Sequence, residues 1–107
     1  MRIRIHPSAR EEARAAVEWY ERRQAGLGST FSTELLQALN VIADAPEAWP
    51  HWPGMKAPLP IRRFLLSGFP FALPYVVLED EVVLLAIAHL RRQPGYWLAR
   101  ARQLSGR

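Results

Sequence analysis

The chain of 107 residues contains no cysteine. That excludes disulfides, thiol catalysis and cysteine-held zinc together, and it fits a reducing compartment. No apolar run is long enough to span a bilayer. Met1-Arg2-Ile3-Arg4-Ile5-His6 alternates charge with apolarity where a signal peptide needs a continuous apolar stretch. The sequence therefore predicts a soluble, cytoplasmic protein with no membrane contact. Lysine is nearly missing, since 13 of the 14 basic residues are arginine. Acid is missing from the C-terminal end: none follows Glu81, whereas Arg91, Arg92, Arg100, Arg102 and Arg107 all do. Residues 1–47 carry six basic and seven acidic groups, while residues 48–107 carry eight basic groups against Glu79, Asp80 and Glu81. The net charge of +4 thus sits in the C-terminal half and fits an anionic partner, although an arginine-rich genome would leave the same bias.

Further function classes fall away on spacing. His6, His51 and His89 have no metal-ligand spacing and no clustered carboxylates, so no metal or other cofactor is expected. Ser8, Ser29 and Ser67 lack a nucleophile-elbow setting. Gly26 and Gly28 follow a helical segment, where a phosphate-cradling loop would have to follow a strand.

What is present reads as one α+β domain over residues 1–107, half of it hydrophobic and 22% charged. Arg2 to His6 alternates as a short half-buried strand. Pro7 and Ser8 open a helix, and Ser8-Ala9-Arg10-Glu11 has capping-box spacing. Ala9, Ala13, Ala16, Val17 and Tyr20 form its apolar stripe, and Gly26 and Gly28 suggest a C-cap and tight connection. A second helix from about Ser29 carries Phe31, Leu35, Ala38, Leu39 and Ile42, which gives an antiparallel hairpin. Residues 46–60 hold Pro46, Pro50, Pro53, Pro58 and Pro60 around Trp49 and Trp52, and they exclude a regular element. Strands are predicted over Ile61–Ser67, Phe71–Leu78 and Glu81–Ala88, a three-stranded antiparallel meander. Pro74 removes a ladder donor from the middle strand and points to an irregularity there. Tyr96 to about Leu104 reads as a short C-terminal helix. The first strand joins either an edge or the middle of the sheet.

His89-Leu90-Arg91-Arg92-Gln93-Pro94-Gly95-Tyr96-Trp97 gathers an imidazole, two guanidiniums and two large aromatics where the last apolar strand leaves the core. Such groups bind phosphates and unstacked bases, and they also bind acidic, aromatic-bearing protein partners. Arg62, Arg91, Arg92, Tyr96 and Trp97 are the candidate target- or partner-binding residues. Arg62 and Arg63 are adjacent on a strand and leave opposite faces, so at most one is expected near the core or site and the other in solvent.

The chain resembles the RelE/ParE superfamily, the toxins of type II toxin–antitoxin modules, often called plasmid stabilization proteins. The resemblance runs from the opening strand and Ala-rich helix ending at Trp19-Tyr20, through Ala45-Pro46 and Pro60-Ile61-Arg62-Arg63-Phe64, to Phe69-Pro70-Phe71 and Tyr75. It closes with Ala86-Ile87-Ala88-His89-Leu90-Arg91-Arg92-Gln93-Pro94-Gly95-Tyr96-Trp97. It implies a growth inhibitor neutralised by a cognate antitoxin, with a homodimer or a toxin–antitoxin hetero-oligomer compatible with it. Two targets follow from the two branches. RelE-like members cut mRNA on the ribosome through the RNA's own 2′-hydroxyl, whereas ParE-like members inhibit DNA gyrase.

Ribonuclease chemistry needs a base, an acid and cations at the phosphate. The resemblance places His89, Arg91 and Arg63 in such catalytic roles if the chain is RelE-like. Ala72 stands where a strand arginine is expected, and Ile61 lies near the position of a companion lysine. The incomplete set leans the reading toward the ParE-like branch. A degenerate module that only binds antitoxin is the third alternative, so whether the chain is an enzyme stays open. His89 is either an acid–base group or a strand-end histidine donating to a backbone carbonyl.

Overall fold

Pro7 is pre-organised for the first turn of a helix, and α1 runs Pro7–Arg23 from it. The cap is His6, not the expected Ser8: the His6 Nδ1 accepts the Ser8 N–H at 3.1 Å. Glu11 serves no capping box and instead pairs with Arg14 on the solvent side. The computed structural model describes residues 1–57 and 59–105; Pro58 and Arg107 lie outside the described residues.

After Gln24, the C-cap of α1, the chain turns at Gly26 (φ +90°) into α2, Leu27–Asp44. Gly26 is therefore the N-cap of the second helix and not the C-cap of the first. Only glycine holds that dihedral without strain. Gly26 has no side chain to cap with, so α1 supplies one. The Glu21 carboxylate accepts the Gly26 and Gly28 N–H groups at 2.9 and 3.0 Å, placing negative charge at the N-terminus of α2.

The sheet comprises β1 (Arg2–Ile5), β2 (Arg62–Leu65), β3 (Phe71–Leu78), β4 (Glu81–Leu84) and β5 (Ala88–His89). Its order is β1-β4-β3-β2, with β5 also beside β3. The first strand takes an edge and runs parallel to β4; the other pairings are antiparallel. Arg2 and Arg4 on that edge both reach Glu81, and charged side chains of this kind keep an edge from pairing at random. The opposite edge is covered by the proline-rich loop. Trp52 N–H donates to the Ile61 carbonyl (2.8 Å) and Arg63 N–H to the Pro50 carbonyl (3.0 Å).

Alternation on β3 divides the interior. Phe71, Leu73 and Tyr75 face the helical hairpin with Phe31, Leu35 and Ile42. Val76 faces the other way with Val83, Leu85, Trp97 and Ala101. The final helix, α3 (Leu98–Ser105), covers this second face. It starts two residues later than the sequence predicts, which leaves Tyr96 and Trp97 in the preceding turn.

The expected strand Glu81–Ala88 is broken into β4 and β5 by Leu85–Ile87. Tyr75 pairs with Leu84, yet Ala72 pairs with Ala88, so three residues stand opposite Leu73 and Pro74. That extra residue makes a bulge. The irregularity expected at Pro74 lies in the strand facing it.

Gly28 sets the spacing of the helical hairpin. A Cβ there would meet the Val17 carbonyl oxygen at 2.7 Å. Gly28→Ala should therefore destabilise the fold by about 1–3 kcal/mol despite alanine's better helix propensity. Urea denaturation measures this, and an unchanged or higher midpoint would contradict so close a contact.

Candidate functional site

Leu85 donates its N–H to the Pro74 carbonyl at 2.9 Å. In a regular antiparallel pair the facing residue returns a bond to the Leu85 carbonyl, and Pro74 has no N–H to return. Arg100 from α3 fills the place: its guanidinium donates to the Leu85 carbonyl at 2.9 Å. The same guanidinium meets both oxygens of Glu12 on α1 at 3.0 Å. Glu12 also accepts the Ile87 N–H (3.0 Å) and the Tyr96 hydroxyl (2.9 Å). One carboxylate thereby ties α1, the bulge, the 89–97 segment and α3 together.

Glu12 lies on the stripe of Ala9, Ala13 and Ala16, and that position was the one signal for it in the sequence. Its side chain is 18% exposed and that of Arg100 17%, so the pair is largely withdrawn from water. Burial, reinforced by the bond to Glu12, pushes the Tyr96 phenol up to about 12. Tyr96 is consequently a hydrogen-bond donor at neutral pH and not a base.

Between α1 and the end of the sheet lies an open groove of about 1040 Å³. Ala15, Ala16, Trp19, Tyr20 and Arg23 form the α1 wall; Pro70, Phe71 and Ile87 the sheet side; and His89, Leu90, Arg91 and Arg92 the rim. Trp19 and Leu90 are exposed apolar side chains on it, at 47% and 56%. The Arg23 guanidinium lies 4.7 Å from the Trp19 ring centre, and that of Arg92 lies 3.5 Å from the Tyr96 ring centre. Arg92 also stands 3.8 Å from Glu12, an ion pair with a helix carboxylate. Arg91 is exposed, and its guanidinium has no partner among the described residues.

The structure sorts the residues singled out from sequence. His89 pairs with Phe71, and its ring meets Phe71 edge-on at 5.1 Å, on the hairpin side. Its Nδ1 accepts the Arg91 N–H at 3.0 Å, whereas the structural alternative had the ring donating to a carbonyl. Arg63 pairs with Pro74, which places it on the opposite face of the sheet from Phe71 and His89. His89, Arg91 and Arg63 are therefore not assembled into one cluster. Both strand arginines are half-buried, where one was expected in solvent. Arg62 donates to the Trp49 carbonyl (2.6 Å), and Arg63 lies 5.5 Å from the Trp52 ring centre. Both fasten the proline-rich loop. Trp97, expected at a partner surface, is 0% exposed and packs against Trp52 at 5.1 Å, so it has no surface to offer. Trp49 packs on Phe64 at 4.7 Å. Ala72 and Ile61, standing in for the missing basic residues, are buried. Among the described residues no group of three or more His, Asp or Glu is placed to hold a metal.

No family model matches the sequence, and no curated protein matches it. Among solved structures, a chain from the chromosomal ParDE TA system of P. aeruginosa superposes with a TM-score of 0.73 at 16% identity, covering 85% of this chain and 97% of that one. The two chains share a fold. That scaffold supplies a strand, a helical hairpin, a mostly antiparallel sheet and a short terminal helix, and the groove lies between its first helix and its sheet. No helix among the described residues is long and apolar enough to cross a membrane.

Glu12→Ala would strand the Ile87 N–H, the Tyr96 hydroxyl and the Arg100 charge, a loss of about 3 kcal/mol. Glu18→Ala, which breaks only an exposed pair with Arg14, should change stability by less than about 0.5 kcal/mol. Equal denaturation midpoints for the two variants would contradict the role given to Glu12.

Proposed function

We propose that this chain is the toxin of a type II toxin–antitoxin module, a cytoplasmic growth inhibitor held inactive by a cognate antitoxin, and that its target is DNA gyrase. The fold supports the toxin reading. The observation that carries the choice of target is the separation of Arg63 from His89 across the sheet. RNA cleavage needs its acid, base and phosphate-binding cations within reach of one scissile bond. Here one of the three basic groups leaves the face that the others occupy.

The groove suits a protein segment better than unstacked bases. A stacking platform needs a free ring face. Tyr20 stacks on Phe31 and meets Phe69 edge-on, while Trp19 already carries Arg23. Exposed Trp19 and Leu90 beside the unpaired Arg91 instead fit an apolar segment that bears acid. An acidic antitoxin would be steered by the same charges. Its complex should weaken modestly in high salt, and identical affinity at low and high salt would reject that electrostatic contribution.

Purified toxin should block gyrase supercoiling, and its expression without antitoxin should stop DNA synthesis before protein synthesis. Intact supercoiling at stoichiometric excess would contradict the gyrase reading. Cleavage of mRNA in a translating extract would favour the RelE-like alternative. Absence of growth arrest altogether would leave a module that only binds its antitoxin.

A further inference from the structure

Resting on the toxin reading, we infer that His89 is a positioning residue: its imidazole acts as the hydrogen-bond acceptor that shapes the turn presenting Arg91, and it does no acid–base chemistry. Two bonds define that turn. The Arg91 N–H donates to the His89 Nδ1 at 3.0 Å, and the Arg92 N–H donates to the His89 carbonyl at 3.0 Å. A backbone N–H can only donate, so Nδ1 is the unprotonated nitrogen and the neutral ring carries its proton on Nε2. The side chain thus does what an asparagine does in an Asx-turn, accepting from the backbone two residues on. Phe71 holds the ring from the side.

His6 shows the same use of the residue. Its Nδ1 accepts from the Ser8 N–H, and its Nε2 meets the Gln103 Oε1 at 3.1 Å. Two of the three histidines in the chain therefore close local i to i+2 turns. At His89 the turn aligns a guanidinium that nothing else restrains. Arg92 is already held by Tyr96 and Glu12, whereas Arg91 is fixed only through its backbone. Ordering Arg91 before a partner arrives removes part of the entropy lost on binding.

Three variants separate acceptor, packing and imidazole chemistry. His89→Asn keeps an acceptor at the Nδ1 position and removes the titrating ring. His89→Leu keeps apolar bulk against Phe71 and removes the acceptor. His89→Ala removes both. In gyrase supercoiling assays His89→Asn should inhibit within about threefold of wild type, while His89→Leu and His89→Ala should each weaken by about tenfold, the scale of one lost hydrogen bond. His89→Asn as inactive as His89→Ala, with both folded, would overturn the inference.

A readout independent of activity keeps failure of the inference distinct from failure of the gyrase reading. Nitrogen NMR of the wild-type protein should find His89 with its proton on Nε2. The Arg91 amide should be protected from hydrogen exchange in wild type and His89→Asn but not in His89→Leu. A proton on Nδ1, or an Arg91 amide indifferent to these changes, would overturn it even if gyrase is inhibited.

Discussion

A missing N–H at Pro74 shapes much of this molecule. The central strand of a small sheet cannot leave a facing carbonyl unpaired in the interior. The Leu85 carbonyl is satisfied from outside the sheet, by Arg100. A guanidinium withdrawn from water needs an anion, and Glu12 on the first helix supplies it. The second oxygen of Glu12 takes the Tyr96 hydroxyl, and Tyr96 carries Arg92 on its ring. A defect in a backbone ladder is thereby converted into a link between both ends of the chain and the segment that borders the groove.

The break has a second consequence. An uninterrupted strand from Glu81 through His89 would keep a single alternation. The extra residue at Leu85–Ile87 reverses it, so that His89 joins Phe71 on the hairpin side. Arg63, opposite Pro74, stays on the face of Val76 and Trp52. The basic residues that one mechanism would bring together are directed apart, and the arginines that do share a surface border an apolar groove. On the function proposed above, that geometry holds a protein partner.

Much of the fold is legible in the residues taken alone. Period-3.6 stripes give the two long helices, β3 spans the predicted Phe71–Leu78, and the awkwardness of Pro74 marks the site of the bulge. The features missed are side chains bonded to groups far away in sequence. Glu21 caps a helix other than its own, and Glu12 bonds residues 75 to 88 positions away. Periodicity reports which face is buried, not which backbone group waits there. Trp97 is the converse case. Arg92 lines the groove, whereas Trp97, in the same segment, packs against Trp52 in the core. Likewise His89 is an obvious candidate by type, while its part as an acceptor for Arg91 depends on backbone geometry that no composition discloses.

The carboxylate of Glu12 closes the broken ladder, and the Ile87 amide reports it directly. Native-state hydrogen exchange should show that amide protected to the same level as the β4 amides Val82 and Val83, although Ile87 has no strand partner. The protection should vanish in Glu12→Ala while that of Val82 and Val83 persists. An Ile87 amide that exchanges as fast as an exposed loop in the wild-type protein would contradict it.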